Sequence, residues 1–167
     1  MVEKEFIAKF KGNKIFIETG TQTGAGVEAA LFSGFEEIHS IEIREDFYNI
    51  ALKNFKDNPK VHLYFGDSRE VLPKILEKIK EPATFWLDGH SQHDSPILEE
   101  LDILKKHPIK NHTILIDDCG NFDRNMGKIG FFVIAKNTQQ INLNYKLQLD
   151  TANDAYPQAV LVAKEQW

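Results

Sequence analysis

Lys14-Ile15-Phe16-Ile17-Glu18-Thr19-Gly20-Thr21-Gln22-Thr23-Gly24-Ala25-Gly26 is the stretch that decides the fold. Ile15, Phe16 and Ile17 form a short apolar run, as expected for a central parallel strand covered on both faces. Gly20, Gly24 and Gly26 then allow a sharp bend and a close backbone approach without a Cβ in the way. Val27 to Phe32 resumes as a helix, and Gly34 is placed to stop it. The unit is strand, glycine-rich turn, helix.

The same alternation continues outward. Glu37 to Ile43 reads as a second strand, followed by a helix from Arg44-Glu45-Asp46 to about Phe55, which Asn58-Pro59 breaks. Val61 to Phe65 is a third strand ending at Gly66-Asp67-Ser68. Asp67 and Glu70 have the spacing of a capping box at the next helix, in which Pro73 is tolerated only near the first turn. Ala83 to Leu87 is a fourth strand ending at Asp88-Gly89-His90. Ser95 is placed to cap and Pro96 to start a helix whose Ile97, Leu98, Leu101 and Leu104 face inward. Thr113 to Ile116 is a fifth strand ending at Asp117-Asp118, and a helix from about Asn125 to Gln139 follows. Tyr145, Leu147 and Leu149 then alternate with polar residues, and Ala159 to Ala163 is a final apolar strand, so an antiparallel hairpin closes the chain. The pattern predicts an α/β single domain: a Rossmann-like, seven-stranded, mostly parallel sheet with helices on both faces and a C-terminal antiparallel hairpin. Residues 1–13 read as an N-terminal arm or short helix, and 14–167 as the domain proper.

Composition narrows the classes. The chain has 167 residues, 42% hydrophobic and 27% charged, enough for one real core. A net charge of -5 argues against nucleic acid as a partner. The single cysteine, Cys119, excludes an internal disulfide framework and fits a reducing, cytoplasmic setting. The opening residues do not read as a signal peptide, and no apolar run is long enough for a bilayer, so no membrane association is expected.

Carboxylates recur where strands run into loops: Glu18, Glu42, Asp67, Asp88, and the pair Asp117-Asp118. In a parallel sheet these fall on one edge, the edge where α/β proteins bind ligands. Such a row of acids is expected to repel itself unless something positive or hydroxyl-rich sits among it. If the ligand is a nucleoside sulfonium, Glu42, ending strand two, suits a pair of ribose hydroxyls, with a strand-end salt bridge to a lysine as the alternative. Asp67 and Ser68, flanked by Phe65, suit the amine and ring of adenine, although capping alone also explains Asp67. Glu18 suits a sulfonium or an amino-acid tail. Asp88, Asp117 and Asp118 offer hard oxygen ligands for Mg²⁺, and ordinary loop or cap roles are the alternative. His90 and His93 are candidate general bases, and Ser91 and Gln92 could position a substrate hydroxyl.

Ile17-Glu18-Thr19-Gly20-Thr21-Gln22-Thr23-Gly24, Ser40-Ile41-Glu42-Ile43, Phe65-Gly66-Asp67-Ser68 and Trp86-Leu87-Asp88 resemble the successive motifs of class I S-adenosylmethionine-dependent methyltransferases. The resemblance spans Lys14 to Asp118, and the terminal hairpin fits that fold's last strands. It implies S-adenosylmethionine as cofactor, with Glu18, Thr19, Gly20, Thr21, Gly24, Glu42, Ile43, Asp67, Ser68 and Asp88 around it. Asp88 with Asp117-Asp118 looks most like the metal-dependent O-methyltransferases of catechol and sugar type. That implies Mg²⁺ on those three acids, catalysis at Asp88 and His90, and a hydroxyl of a small molecule or sugar as acceptor. Two features depart from the catechol pattern: Ser91 stands where those enzymes place a lysine base, and Asp118 where Asn is frequent. The helices that roof such sites are nearly absent, which leaves room for a second copy, as in a homodimer. Two rival readings remain. Gly24-Ala25-Gly26-Val27-Glu28-Ala29 spells the G-x-G-x-x-A of nicotinamide-dependent oxidoreductases, but too far past its strand. A non-catalytic binding module on the methyltransferase fold is the other.

Overall fold

The structure, a computed structural model, describes residues 4–90, 94–119, 129–150 and 159–166. Helix α1 (Lys4–Lys9) leads into β1 (Ile15–Thr19), α2 (Ala25–Phe32), β2 (Glu37–Glu42), α3 (Glu45–Phe55), β3 (Val61–Phe65) and α4 (Ser68–Leu76). Then come β4 (Ala83–Leu87), α5 (Ile97–Lys106), β5 (Thr113–Ile116), α6 (Phe131–Gln139), β6 (Lys146–Asp150) and β7 (Val160–Lys164). The strands form one seven-stranded sheet in the order β3-β2-β1-β4-β5-β7-β6. β1 to β5 are parallel, and β7 pairs antiparallel with both β5 and β6. The sheet is as expected from the sequence.

Alternation along each strand sends successive side chains to opposite faces. Ile15, Ile17, Phe85, Leu87, Ile114 and Ile116 join Leu72, Leu101 and Ile134 in a core that takes in α4, α5 and α6. Phe16, Trp86 and Leu115 point the other way, into a second core with Val27, Phe35, Ala51 and Phe55 from the α2–α3 side. Ile7 and Phe10, from α1 and the turn after it, are buried in that second core. The central strands are buried along their whole length, which explains their continuous apolar runs.

Two local expectations are corrected, and a third is met over part of its length. Ser95 does not cap α5: the helix begins after Pro96 with no side-chain cap, and the Ser95 hydroxyl is buried without a partner. Pro73 lies well inside α4 rather than in its first turn, so it withholds one backbone donor from that helix. α6 is described from Phe131 onward; the earlier part of the predicted helix, residues 125–128, lies outside the described residues.

All five parallel strands end on one edge. β1 lies between β2 and β4, so successive connections leave β1 in opposite directions. This switch point opens a crevice at the strand ends, where open α/β sheets hold ligands.

Candidate active site

A cavity of about 280 Å³ occupies that crevice. Its floor is made of two touching turns, one after β1 and one after β4. Gly20 has φ 86°, and a Cβ there would collide with the Asp88 carbonyl and lie 3.2 Å from the Gly89 Cα. The absence of side chains lets the turns meet and keeps the floor low. The walls come from Glu42, Ile43, Arg44 and Phe47 on one side, Asp67, Ser68 and Arg69 on another, and Asp88, His90 and Asp94 on a third.

Glu42 is fixed before any ligand arrives. One carboxylate oxygen accepts from the Gln22 amide at 2.6 Å and the other from the Arg44 amide at 2.8 Å. Each oxygen keeps a further lone pair for a ligand hydroxyl. Ile43 is 59% exposed and lines the same wall, and the Arg44 guanidinium lies 4.2 Å over the Phe47 ring. Phe65, expected to flank a base, is turned outward instead and packs against Tyr48 with ring centroids 5.4 Å apart. Ile43 and Phe47 supply the apolar wall in its place.

Asp67 is not a free acid. Its Oδ1 caps α4 by accepting from the Arg69 amide at 2.8 Å, and the Arg69 guanidinium forks onto both oxygens at 2.6 to 3.1 Å. That charge-assisted fork holds the Asp67 carboxyl below its ordinary range. Arg69 also reaches Asp94 at 2.9 Å. Ser68 is nearly buried on the wall beside it.

Glu18, Thr19, Thr21 and Gly24 stand behind the wall rather than on it. Glu18 is 2% exposed, and its Oε2 accepts from Ser40, whose hydroxyl also bonds Thr21, each at 2.5 Å. Burial pushes the Glu18 carboxyl up to about 8; the Ser40 hydrogen bond pulls it back, and Asp88 and Glu42 add repulsion. Gly26 admits this side chain, because a Cβ there would fall on the Glu18 carboxylate.

On the far wall, His90 gathers the remaining acids. Its Nε2 lies 3.0 Å from Asp118 Oδ2, and its Nδ1 lies 3.6 Å from Asp88 Oδ1. Burial opposes the imidazolium, but the Asp118 hydrogen bond and the charges of Asp88, Asp118 and Asp117 outweigh it and raise the histidine. Burial and the neighbouring Asp117 raise Asp88. Donor atoms of Asp88, His90 and Asp118 all lie within 4.8 Å of one another, a spacing at which a modest inward shift would let one divalent cation reach all three. Asp117 is not in this set: its Oδ1 accepts from the Asp118 amide at 2.8 Å. The sequence points to Asp88, Asp117 and Asp118; the structure brings donor atoms of Asp88, His90 and Asp118 together. Ser91, Gln92 and His93 lie outside the described residues.

Within the chain each of these acids already has its own neighbours. Backbone amides hold Glu42, Arg69 holds Asp67, His90 sits between Asp88 and Asp118, and burial raises the Glu18 carboxyl. Arg69, Phe47 and the buried Glu100 of α5 were not anticipated from the sequence.

No family model matches the chain, and no curated protein matches it. Solved structures do. The chain superposes on an O-methyltransferase from Bacillus cereus in complex with S-adenosylhomocysteine with a TM-score of 0.74, at 16% identity, covering 96% of this chain and 78% of that one. An S-adenosylhomocysteine-bound methyltransferase from Podospora anserina gives 0.66 at 13% identity, over 98% of this chain and 76% of that one. Fibrillarin from Aeropyrum pernix, with natively bound S-adenosylmethionine, gives 0.67 at 8% identity, over 96% of this chain and 72% of that one. The strand order, the reversed β7 and these superpositions agree: the chain has the class I S-adenosylmethionine-dependent methyltransferase fold.

Proposed function

We propose that the protein is an S-adenosylmethionine-dependent methyltransferase acting on a hydroxyl of a small molecule or sugar. The observation that carries this reading is Glu42 at the end of β2, held by two backbone amides at the cavity wall with lone pairs left for a vicinal diol. The side-chain-free floor at Gly20 and Gly89 and the apolar Ile43–Phe47 wall fit the rest of a nucleoside. Among solved structures of this fold, those from Bacillus cereus and Podospora anserina carry S-adenosylhomocysteine.

The cofactor, when bound, supplies an activated methyl group on a sulfonium. The chain's own residues orient the partners, which removes much of the entropic cost of a two-body transfer. They must also take the acceptor's proton. His90 lines the cavity and is aligned by Asp118, the base-and-orienter arrangement of an activated imidazole. With Nε2 engaged by Asp118, Nδ1 faces Asp88 at 3.6 Å, and the imidazole is the group that takes that proton.

The 4.8 Å clustering favours a second reading of this wall, in which Asp88, His90 and Asp118 hold a divalent cation such as Mg²⁺. A bound ion would supply Lewis-acid stabilisation of the acceptor oxyanion.

Two measurements test the proposal. Calorimetry should show saturable binding of S-adenosylmethionine, weakened at least about tenfold by Glu42→Ala, the loss of a charged hydrogen-bond acceptor; a folded wild type that binds none would refute it. Titration with Mg²⁺ or Mn²⁺ should show saturable heat that Asp118→Asn abolishes. A flat titration leaves the His90–Asp118 pair as the operative device and removes the cation.

A further inference from the structure

Glu100 is the buried acid that the site described above leaves unused. It lies in the first turn of α5 and is 1% exposed. The hydroxyls of Ser68 and Thr19 bond its carboxyl, yet one oxygen, Oε1, has no hydrogen-bond partner. That oxygen lies against Gly89, where a Cβ would stand 3.2 Å away. Gly89 is half of the cavity floor, so a single layer of backbone separates the carboxyl from whatever the cavity holds. A buried oxygen that no donor satisfies is uncommon in native structures and calls for an explanation. Its field is not spent on a local partner and acts across poorly polarisable surroundings.

We infer that Glu100 is a specificity determinant for ligand charge: it makes the cavity prefer the cationic sulfonium cofactor over its neutral thioether product. The inference rests on the S-adenosylmethionine reading above. Among the described residues, the charged groups that act on Glu100 are His90 and Asp67, which also pair with Asp118 and with Arg69. Burial pushes the Glu100 carboxyl up to about 7, with Ser68 and Thr19 pulling it back, so little added attraction is needed to ionise it. Once the methyl group has left, the thioether carries no charge and that attraction is lost. The consequence is easier release of product than of cofactor, from a group that touches neither.

The test is calorimetric titration of the wild type and Glu100→Gln with S-adenosylmethionine and, separately, with S-adenosylhomocysteine. Gln preserves the shape and removes only the charge. The expected result is about a tenfold loss of S-adenosylmethionine affinity with the product's affinity unchanged within about twofold, the scale of one charge acting across several ångströms. Glu100→Asp, which keeps the charge, should retain the preference. Equal weakening of both ligands in Glu100→Gln would show a merely structural role and overturn the inference, as would an unchanged ratio. A folded wild type that binds neither ligand refutes the cofactor reading, and this inference with it; binding of both with no charge preference refutes this inference alone.

Discussion

Glu18 shows how a single residue can look like a binding group and act as something else. It is sealed beneath the glycine turn, and burial lifts its carboxyl from the ordinary 4.5 to about 8. Between those values the folded chain holds a proton that the unfolded chain has released. Folding stability must therefore fall as pH rises through this window, by at most about 1.4 kcal/mol per unit from this residue. Glu18→Gln cannot lose that proton. Denaturant unfolding from pH 5 to 8 should show the variant gaining on the wild type as pH rises, while the other titrating groups cancel in the comparison. Parallel profiles would mean that Glu18 is ionised in the folded protein. The positions of the acids were legible from strand ends, because where a strand stops is a local matter. Their states were not, because they depend on partners brought from elsewhere in the chain: Ser40 for Glu18 and His90 for Asp118.

Among the elements, α2 and α5 are the two whose sequence says most about the site. α2 begins at a left-handed Gly24 and carries Gly26 on the side that meets Glu18. Gly26→Ala would ordinarily favour a helix by about 1 kcal/mol. Here the added methyl meets a buried carboxylate, and overpacking of that kind costs about 1–3 kcal/mol. Thermal unfolding should show Gly26→Ala destabilised, and the penalty should shrink in a Glu18→Ser background, which vacates the space. Additive effects would mean that the two side chains do not compete. α5 held a legible signal that periodicity alone passed over. Ile97, Leu101 and Leu104 define its inward stripe, and Glu100 falls on that stripe between them, whereas Leu98 is only partly buried. An acid at a core position of an amphipathic helix is anomalous, and anomalies of this sort cluster at sites. The failed cap at Ser95 has a different origin: Pro96 was read as the first helical residue, and the assigned helix begins one position later.

At the scale of the whole molecule, five strands alternating with helices and a closing hairpin dictated the sheet, and handedness rules left few alternatives. The order of the last two strands was not written locally. A hairpin could have added β6 next to β5; instead β7 occupies that place, with Leu161 opposite Ile116 and Val162 opposite Leu115. β7 is buried along most of its length, while β6 is largely exposed at the sheet edge. The inner strand is the more apolar one, so the hydrophobic difference between the two segments chooses the order. Among the described residues, β6 therefore has β7 as its only strand neighbour. A chain cut after Asp150 should lose β6 pairing and uncover Ile114 and Ile116 together with Leu115. Calorimetry on that fragment should show no cooperative melting peak, and a sharp two-state transition would mean that the parallel half folds alone.

That arrangement bears on how the chain is made. Synthesis proceeds from the N-terminus, yet the strand that locks β5 into place is translated after the other six strands of the described sheet. Until it emerges from the ribosome, the nascent polypeptide carries an apolar parallel strand with an open edge, a surface prone to pairing with the wrong neighbour. Slow decoding ahead of residues 160–164 would lengthen that exposure, and chaperone demand in the cell should track it.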